Sequence, residues 1–365
     1  MSHNAGWGQQ PQQSAPQWPG GWIQPPPQPG VIPLRPLGAG EMIGGAFKAL
    51  RQYWKPLAGV TLAVQGIGFL LVVAAVVIGI AAASSTFSEV FDVDSDTPAD
   101  GSDVATLFLA LLPGGVLLLL VMLVSTAAIG ALCPAVVQEA VLGRSATFRD
   151  MWRRSWSRLP SVLGAVSLIG LIAGGPVILL YAIALPLIIT SWDDSVPPVG
   201  LFLLIAGVLA WMPVAVWLAT RFSLAPAAVV FEGLRPVAAL RRSAQLVRGS
   251  WWRVAGVTLL GYVVGVAGGY AIQMPFGLVG ILALFPAILG SGPDGSAAVT
   301  ALGFVVYAVC LLAGTAFSAV FQLGYPQLVV SLLYVDQRMR NEDLAPALIA
   351  AAYPAPAPGQ VPPSP

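Results

Sequence analysis

The stretch Phe231 to Leu260, FEGLRPVAALRRSAQLVRGSWWRVAGVTLL, closes one apolar run, carries a basic amphipathic segment and opens a second apolar run. Val237, Leu240, Ala244, Val247 and Trp251 recur at spacings of three and four, which gathers them on one face of a helix. Arg241, Arg242, Arg248 and Arg253 project elsewhere. A helix divided in this way is suited to the membrane surface, its apolar face toward hydrocarbon and its cations toward headgroups. Weaker copies of the arrangement occur twice upstream, so the reading extends to the whole chain.

Of the 365 residues, 57% are hydrophobic and 9% are charged, against roughly half and a quarter in a soluble domain. Several apolar runs exceed the roughly 20 residues that a helix needs to cross the hydrocarbon layer. These features predict an all-α, polytopic helical membrane bundle. A net charge of +1 argues against nucleic acid as a partner. Cys133 and Cys310 both lie in apolar runs and read as small core residues. With His3 as the single histidine, no histidine-based metal or haem site is expected, and no cofactor.

Residues 1–33 are rich in Gln, Pro, Gly and Trp, with too little aliphatic content to bury a core, which predicts a disordered tail. Its Trp7, Trp18 and Trp22, near Pro25 to Pro27, suit either capture of a cytoplasmic protein partner or a solvating spacer. Residues 34–340 make up the membrane domain, with spans at about 56–83, 104–142, 160–190, 199–231, 254–289 and 297–335. Residues 341–365, rich in Ala and Pro, read as a second disordered tail. Of the two upstream copies, the first, Glu41 to Lys55, sets Ile43, Phe47, Leu50 and Trp54 against Lys48, Arg51 and Lys55. In the second, Ser145 to Leu159, Phe148, Met151, Trp152, Trp156 and Leu159 oppose Arg149, Arg153, Arg154 and Arg158.

Six spans place all 17 Lys and Arg on one side, while the loops on the other side carry only acids, among them Glu89, Asp92, Asp94, Asp96 and Asp193. The positive-inside rule then puts both termini in the cytoplasm. Dividing the fifth span at Pro275 would carry Arg338 and Arg340 to the acidic side, so the span is read as continuous. An internal repeat supports the count. AGVTL occurs at Ala58 to Leu62 and again at Ala255 to Leu259, with the looser GAVSL at Gly164 to Leu168. The even-numbered spans match near their inner ends at Pro134, Pro226 and Pro326, 92 and 100 residues apart. Three units of about 95 residues follow, each a basic surface helix and a two-span hairpin. Gly261, Gly265, Gly268 and Gly269 would let neighbouring helices approach closely, although membrane helices are rich in Gly in any case.

Ile32-Pro33-Leu34-Arg35-Pro36-Leu37, Gly40-Glu41 and Gly45-Ala46-Phe47 form an entry motif, and Leu224-Ala225-Pro226, Glu232-Gly233, Ala239 to Ser243 and Arg248-Gly249 follow later. In these motifs the chain resembles an uncharacterised family of actinobacterial integral membrane proteins, related to the membrane domain carried by some glycerophosphodiester phosphodiesterases. The resemblance covers about Val31 to Arg340 and implies a membrane fold in a bacterial cell membrane. In those enzymes catalysis resides in a separate soluble barrel that this sequence does not contain, so no catalytic residue carries across.

Ionisable groups inside a membrane point to function because burying a charge without a partner is costly. Gln65, Gln273 and Gln322 lie within spans, where interhelical hydrogen bonding is the ordinary role. Glu139 and Glu232 each follow the inner proline of an even-numbered span and precede Arg144 and Arg235. They are either interfacial acids paired with arginines or a proton or cation site. Paired carboxylates within a span, a glycine-rich phosphate loop and a serine beside a base are all missing from the sequence, so the expectation is not an enzyme. It is instead a membrane scaffold or organiser. Lys48, Arg51, Lys55, Arg149, Arg153, Arg154, Arg158, Arg241, Arg242, Arg248 and Arg253 would bind anionic membrane lipids, and the tail would meet partners. The alternative is a lipid-handling or small-solute transporter, favoured by Gly174-Gly175-Pro176 and Pro213, which permit bending of the spans.

Overall fold

The computed structural model describes residues 31–33, 35–86, 101–141, 148–190, 199–289, 297–342 and 346. Those residues contain helices and no strand: α1 (Ala39–Gln52), α2 (Trp54–Ala82), α3 (Gly101–Val141), α4 (Phe148–Thr190), α5 (Val199–Phe222), α6 (Ala225–Glu232), α7 (Pro236–Val247), α8 (Trp251–Leu289) and α9 (Ala297–Glu342). Among the described residues six stretches are long and apolar enough to cross a membrane: Trp54–Ala82, Ala105–Val141, Trp156–Ile188, Val199–Glu232, Trp251–Phe285 and Leu302–Glu342. Most of the two tails, the acidic stretch from residue 87 to 100, Arg144, the loop at 191–198 and the turn at 290–296 lie outside the described residues.

The spans pair as hairpins, α2 with α3, α4 with α5, and α8 with α9. The fifth span runs unbroken through Pro275. With 39 residues in α8 and 46 in α9, these helices reach about 58 and 69 Å, roughly twice the thickness of the hydrocarbon layer. The protein core lies at the end that carries the arginines. Leu132, Val136 and Val137 of α3, Ala227 to Val229 of α6, and Leu328, Leu332 and Leu333 of α9 pack there in one buried cluster. Pro134, Pro226 and Pro326, aligned by the internal repeat, are all buried in this region. Along the outer halves, large apolar side chains such as Leu70, Ile78, Leu119, Phe202 and Leu278 are uncovered by protein, as a lipid-facing surface requires.

Close approach explains why the third hairpin is so extensively packed. A Cβ added at Gly265 would lie 2.8 Å from the Pro326 ring, and one at Gly269 would lie 2.1 Å from Gln322 Cγ. Gly261 and Gly268 face Val329 and Phe321 in the same way. These glycines do serve the helix contact.

The structure departs from the sequence reading in four places. The second basic segment is the first part of α4, continuous through Pro160, rather than a separate surface helix. The third copy does break, at Gly249, whose φ of +85° is a left-handed conformation favouring glycine. The second copy has no glycine at that point, and its helix continues.

The fourth span is interrupted after Phe222. Pro226 lacks the N–H that would bond the Phe222 carbonyl, and the chain turns at Ser223 and Leu224 before α6 begins. Hydroxyls satisfy the carbonyls exposed by this break: Ser223 Oγ donates to Thr220 O at 2.9 Å and Ser243 Oγ to Arg221 O at 2.8 Å.

α1 and α7, read from the sequence as surface helices with their apolar faces toward hydrocarbon, also bury a face in protein. α1 buries Met42, Gly45, Ala46, Ala49 and Leu50, leaving Phe47 and Trp54 each 53% exposed. α7 buries Ala239, Leu240, Ser243, Leu246 and Val247 and exposes Val237. Both helices dock on protein through small residues, which allow close backbone approach, and both keep large apolar residues on the outside. Finally, Val31 and Ile32, assigned to the tail, are buried in the core, and the Val31 N–H donates to Ala140 O at 3.0 Å.

Candidate functional site

Two ionic hubs organise the basic end. The first centres on Asp336 of α9, whose side chain is 0% exposed. Its Oδ1 accepts the Leu37 N–H at 2.7 Å and its Oδ2 accepts Arg253 Nη2 at 3.0 Å. Arg340 Nε reaches both oxygens at 3.1 and 3.0 Å. Arg253 and Arg340 each also donate to the Leu37 carbonyl, at 2.6 and 2.9 Å. One buried carboxylate and two guanidinium groups therefore clamp both polar groups of a single backbone residue. The clamp ties the entry segment to the start of α8 and the end of α9.

The second hub centres on Glu232, at the end of α6. Arg242 Nε donates to Oε1 and Oε2 at 3.0 and 3.1 Å, and Arg242 Nη2 donates to Oε1 at 3.0 Å. The Tyr334 hydroxyl donates to the same carboxylate, and Arg338 stands 3.6 Å away. Glu342 closes the ring, accepting from Arg242 and from Arg338. Burial works against the charge on Arg242, but its hydrogen bonds to Glu232 and Glu342 outweigh it and raise the guanidinium above its usual range. Proximity to Glu139 on α3 supplements burial in raising the phenol of Tyr53.

Other cations of this end lie outside the hubs. Lys48, Arg51, Lys55, Arg235, Arg241 and Arg248 are exposed and form no ion pair with described residues. Arg153 is exposed but engaged elsewhere. The Arg158 guanidinium lies over the α6–α7 turn, where a Cβ at Gly233 would be 3.1 Å from both its terminal nitrogens. The side chains of Arg149 and Arg154 lie outside the described residues.

The structure therefore divides the cations expected to face lipid. Arg242 and Arg253 are committed to the hubs, whereas Lys48, Arg51, Lys55, Arg241 and Arg248 are available. Glu232 pairs with arginines of α7 and α9 rather than with its sequence neighbour Arg235. Glu139 is half-buried near Tyr53. Gln65 lines the α2–α3 contact beside Thr61 and Ser125. Gln322 packs on Gly269, and Gln273 packs near Gly314, both within the third hairpin. No group of metal-ligating side chains assembles among the described residues, and Cys133 and Cys310 are free thiols.

Sequence reasoning missed Asp336, Tyr334 and Glu342. Among the described residues the basic end also holds a hollow of ≈ 640 Å³ beside Glu232, Arg235 and Arg241, and one of ≈ 390 Å³ between α5, α7 and the start of α8.

The profile of a family described as a domain of unknown function (DUF7847) matches residues 58–328. The chain belongs to this family. No curated protein and no solved structure matches it. The DUF7847 match begins at the AGVTL motif and ends in the buried part of α9. Glu232, Arg242 and Arg253 lie within it, whereas Leu37, Asp336, Arg338, Arg340 and Glu342 lie outside. Each hub thus joins the DUF7847 stretch to flanking sequence.

Proposed function

We propose that this multi-pass membrane protein is a non-enzymatic scaffold of the bacterial cell membrane, with both termini in the cytoplasm and its basic end on anionic inner-leaflet lipid. One observation carries the reading. After the hubs have taken Arg242, Arg253, Arg338 and Arg340, an exposed set of cations is left on the same end without carboxylate partners among the described residues. Each such cation contributes on the order of 1 kcal/mol toward an anionic surface. Exposed Phe47, Trp54 and Val237 on the neighbouring helices supply the apolar half of a membrane-surface contact.

In this reading the Trp- and Pro-rich tail recruits a cytoplasmic partner. The resemblance to the membrane domain of some glycerophosphodiester phosphodiesterases, read from the entry motif and the third basic segment, fits the same lipid setting without a catalytic role. Reconstitution tests the proposal. Thermal stability of the full chain should rise as phosphatidylglycerol replaces phosphatidylcholine in vesicles of constant size, and the gain should shrink in high salt. A flat response to lipid charge would sink it, and solute or lipid flux above that of empty vesicles would favour a transporter instead.

A further inference from the structure

Outside the hubs, both hollows carry cations that the ion-pair networks leave unused, but the larger one also holds the Glu232 carboxylate, whereas the lining of the smaller one has two arginines and no acid. Trp217 and Arg221 of α5 form one wall of the ≈ 390 Å³ hollow, and Ala244, Arg248, Gly249 and Trp251 form the others. Local sequence explains each position. Trp217 and Arg221 are four residues apart, one helical turn, and the guanidinium carbon sits 5.0 Å from the Trp217 ring centroid. Stacking on the ring face leaves the N–H edge of the guanidinium free. On the other side α7 stops at Val247, and Arg248 is extended at φ −62° and ψ 125°. Gly249, with positive φ, then reverses the chain into α8.

Neither Arg221 nor Arg248 has an ion-pair partner among the described residues, unlike the arginines of the hubs. Two cations on one cavity repel unless an anion lies between them.

We propose that this cavity seats the phosphate of an anionic phospholipid headgroup, held by Arg221 and Arg248. The proposal rests on the lipid-binding reading of the basic end and gives it a specific site. Free phosphate shares the same chemistry, but the wall favours a lipid. On α5, Val214 and Trp217 are exposed and apolar, and they lie two turns and one turn before Arg221 on the same face. Acyl chains would have this surface beside them while the phosphate sits at its end.

The test uses the full chain in uncharged detergent, titrated calorimetrically with dihexanoyl phosphatidylglycerol, dihexanoyl phosphatidylcholine and inorganic phosphate. Saturable binding of phosphatidylglycerol is expected, weakened about tenfold or more in the Arg221→Gln/Arg248→Gln double variant, as loss of charge-assisted contacts predicts. Gln245→Ala, which trims an exposed, uncharged side chain of the other hollow, should bind as the parent does. Arg248→Gln alone lies on an exposed turn and supplies a folded comparator, expected to weaken binding about threefold or more. Parental affinity in these cavity variants would overturn the site while leaving the vesicle response of the basic end intact. Absence of both saturable binding and stabilisation by anionic vesicles would instead remove the lipid-binding reading itself. Inorganic phosphate binding as tightly as phosphatidylglycerol would overturn the assignment to lipid.

Discussion

Asp336 has a fully buried side chain surrounded by donors, and its neighbours could not easily manage without its charge. Replacing it by Asn keeps the shape but leaves Arg253 and Arg340 crowded around the Leu37 carbonyl without their counterion. Breaking a buried pair of this kind costs about 3–5 kcal/mol. Asp336→Asn should therefore lower the thermal midpoint in detergent sharply. Arg340→Gln should cost far less, because its side chain is 35% exposed and Arg253 still pairs with the acid. Equal losses in the two variants, measured by differential scanning fluorimetry, would contradict this account of the clamp. Asp336 was not legible in the sequence because it reads as the polar end of a span, in LLYVDQRMR. Its partners Arg253 and Leu37 are 83 and 299 residues away, and no local pattern joins them. Glu232, by contrast, was recognisable beside its proline and basic helix, although spacing alone suggested the wrong arginine.

The helices themselves were largely legible. Apolar runs of span length announce the crossings, and the identical AGVTL segments fall at corresponding places in α2 and α8, where Val60 and Val257 are both buried. The inward faces of α1 and α7 were harder to read, because hydrophobic periodicity ranks large residues first and close docking selects small ones. The break after Phe222 depends on Ser243, on a different helix, accepting the role of hydroxyl donor to Arg221 O. The α8–α9 contact offers a test at this scale. Gly265→Ala would place a Cβ 2.8–2.9 Å from the Pro326 ring, whose rigid atoms cannot swing aside, so a loss of about 1–3 kcal/mol is expected. Gly256→Ala on the same helix meets nothing within 4 Å and should gain up to about 1 kcal/mol through helix propensity. Unfolding midpoints of the two variants should move in opposite directions.

At the scale of the molecule, the basic end is a compact protein core and the opposite halves of the spans are paired hairpins faced by lipid. That division puts Arg241 and Lys48 on one side of the membrane and the start of α5 on the other. In intact spheroplasts, Val199→Cys should react with a membrane-impermeant maleimide, whereas Arg241→Cys and Lys48→Cys should react only after permeabilisation. The reverse pattern would invert the proposed orientation, and labelling of all three from one side would break the six-span topology. The amide and carbonyl of Leu37 are gripped by groups from Arg253 onward, and the amide waits for Asp336. During synthesis the clamp on Leu37 therefore cannot close until the last span has left the ribosome. At 5–20 residues per second, the 299 residues separating Leu37 from Asp336 take roughly 15–60 s to make. Throughout that interval the entry segment lacks the grip that finally holds it.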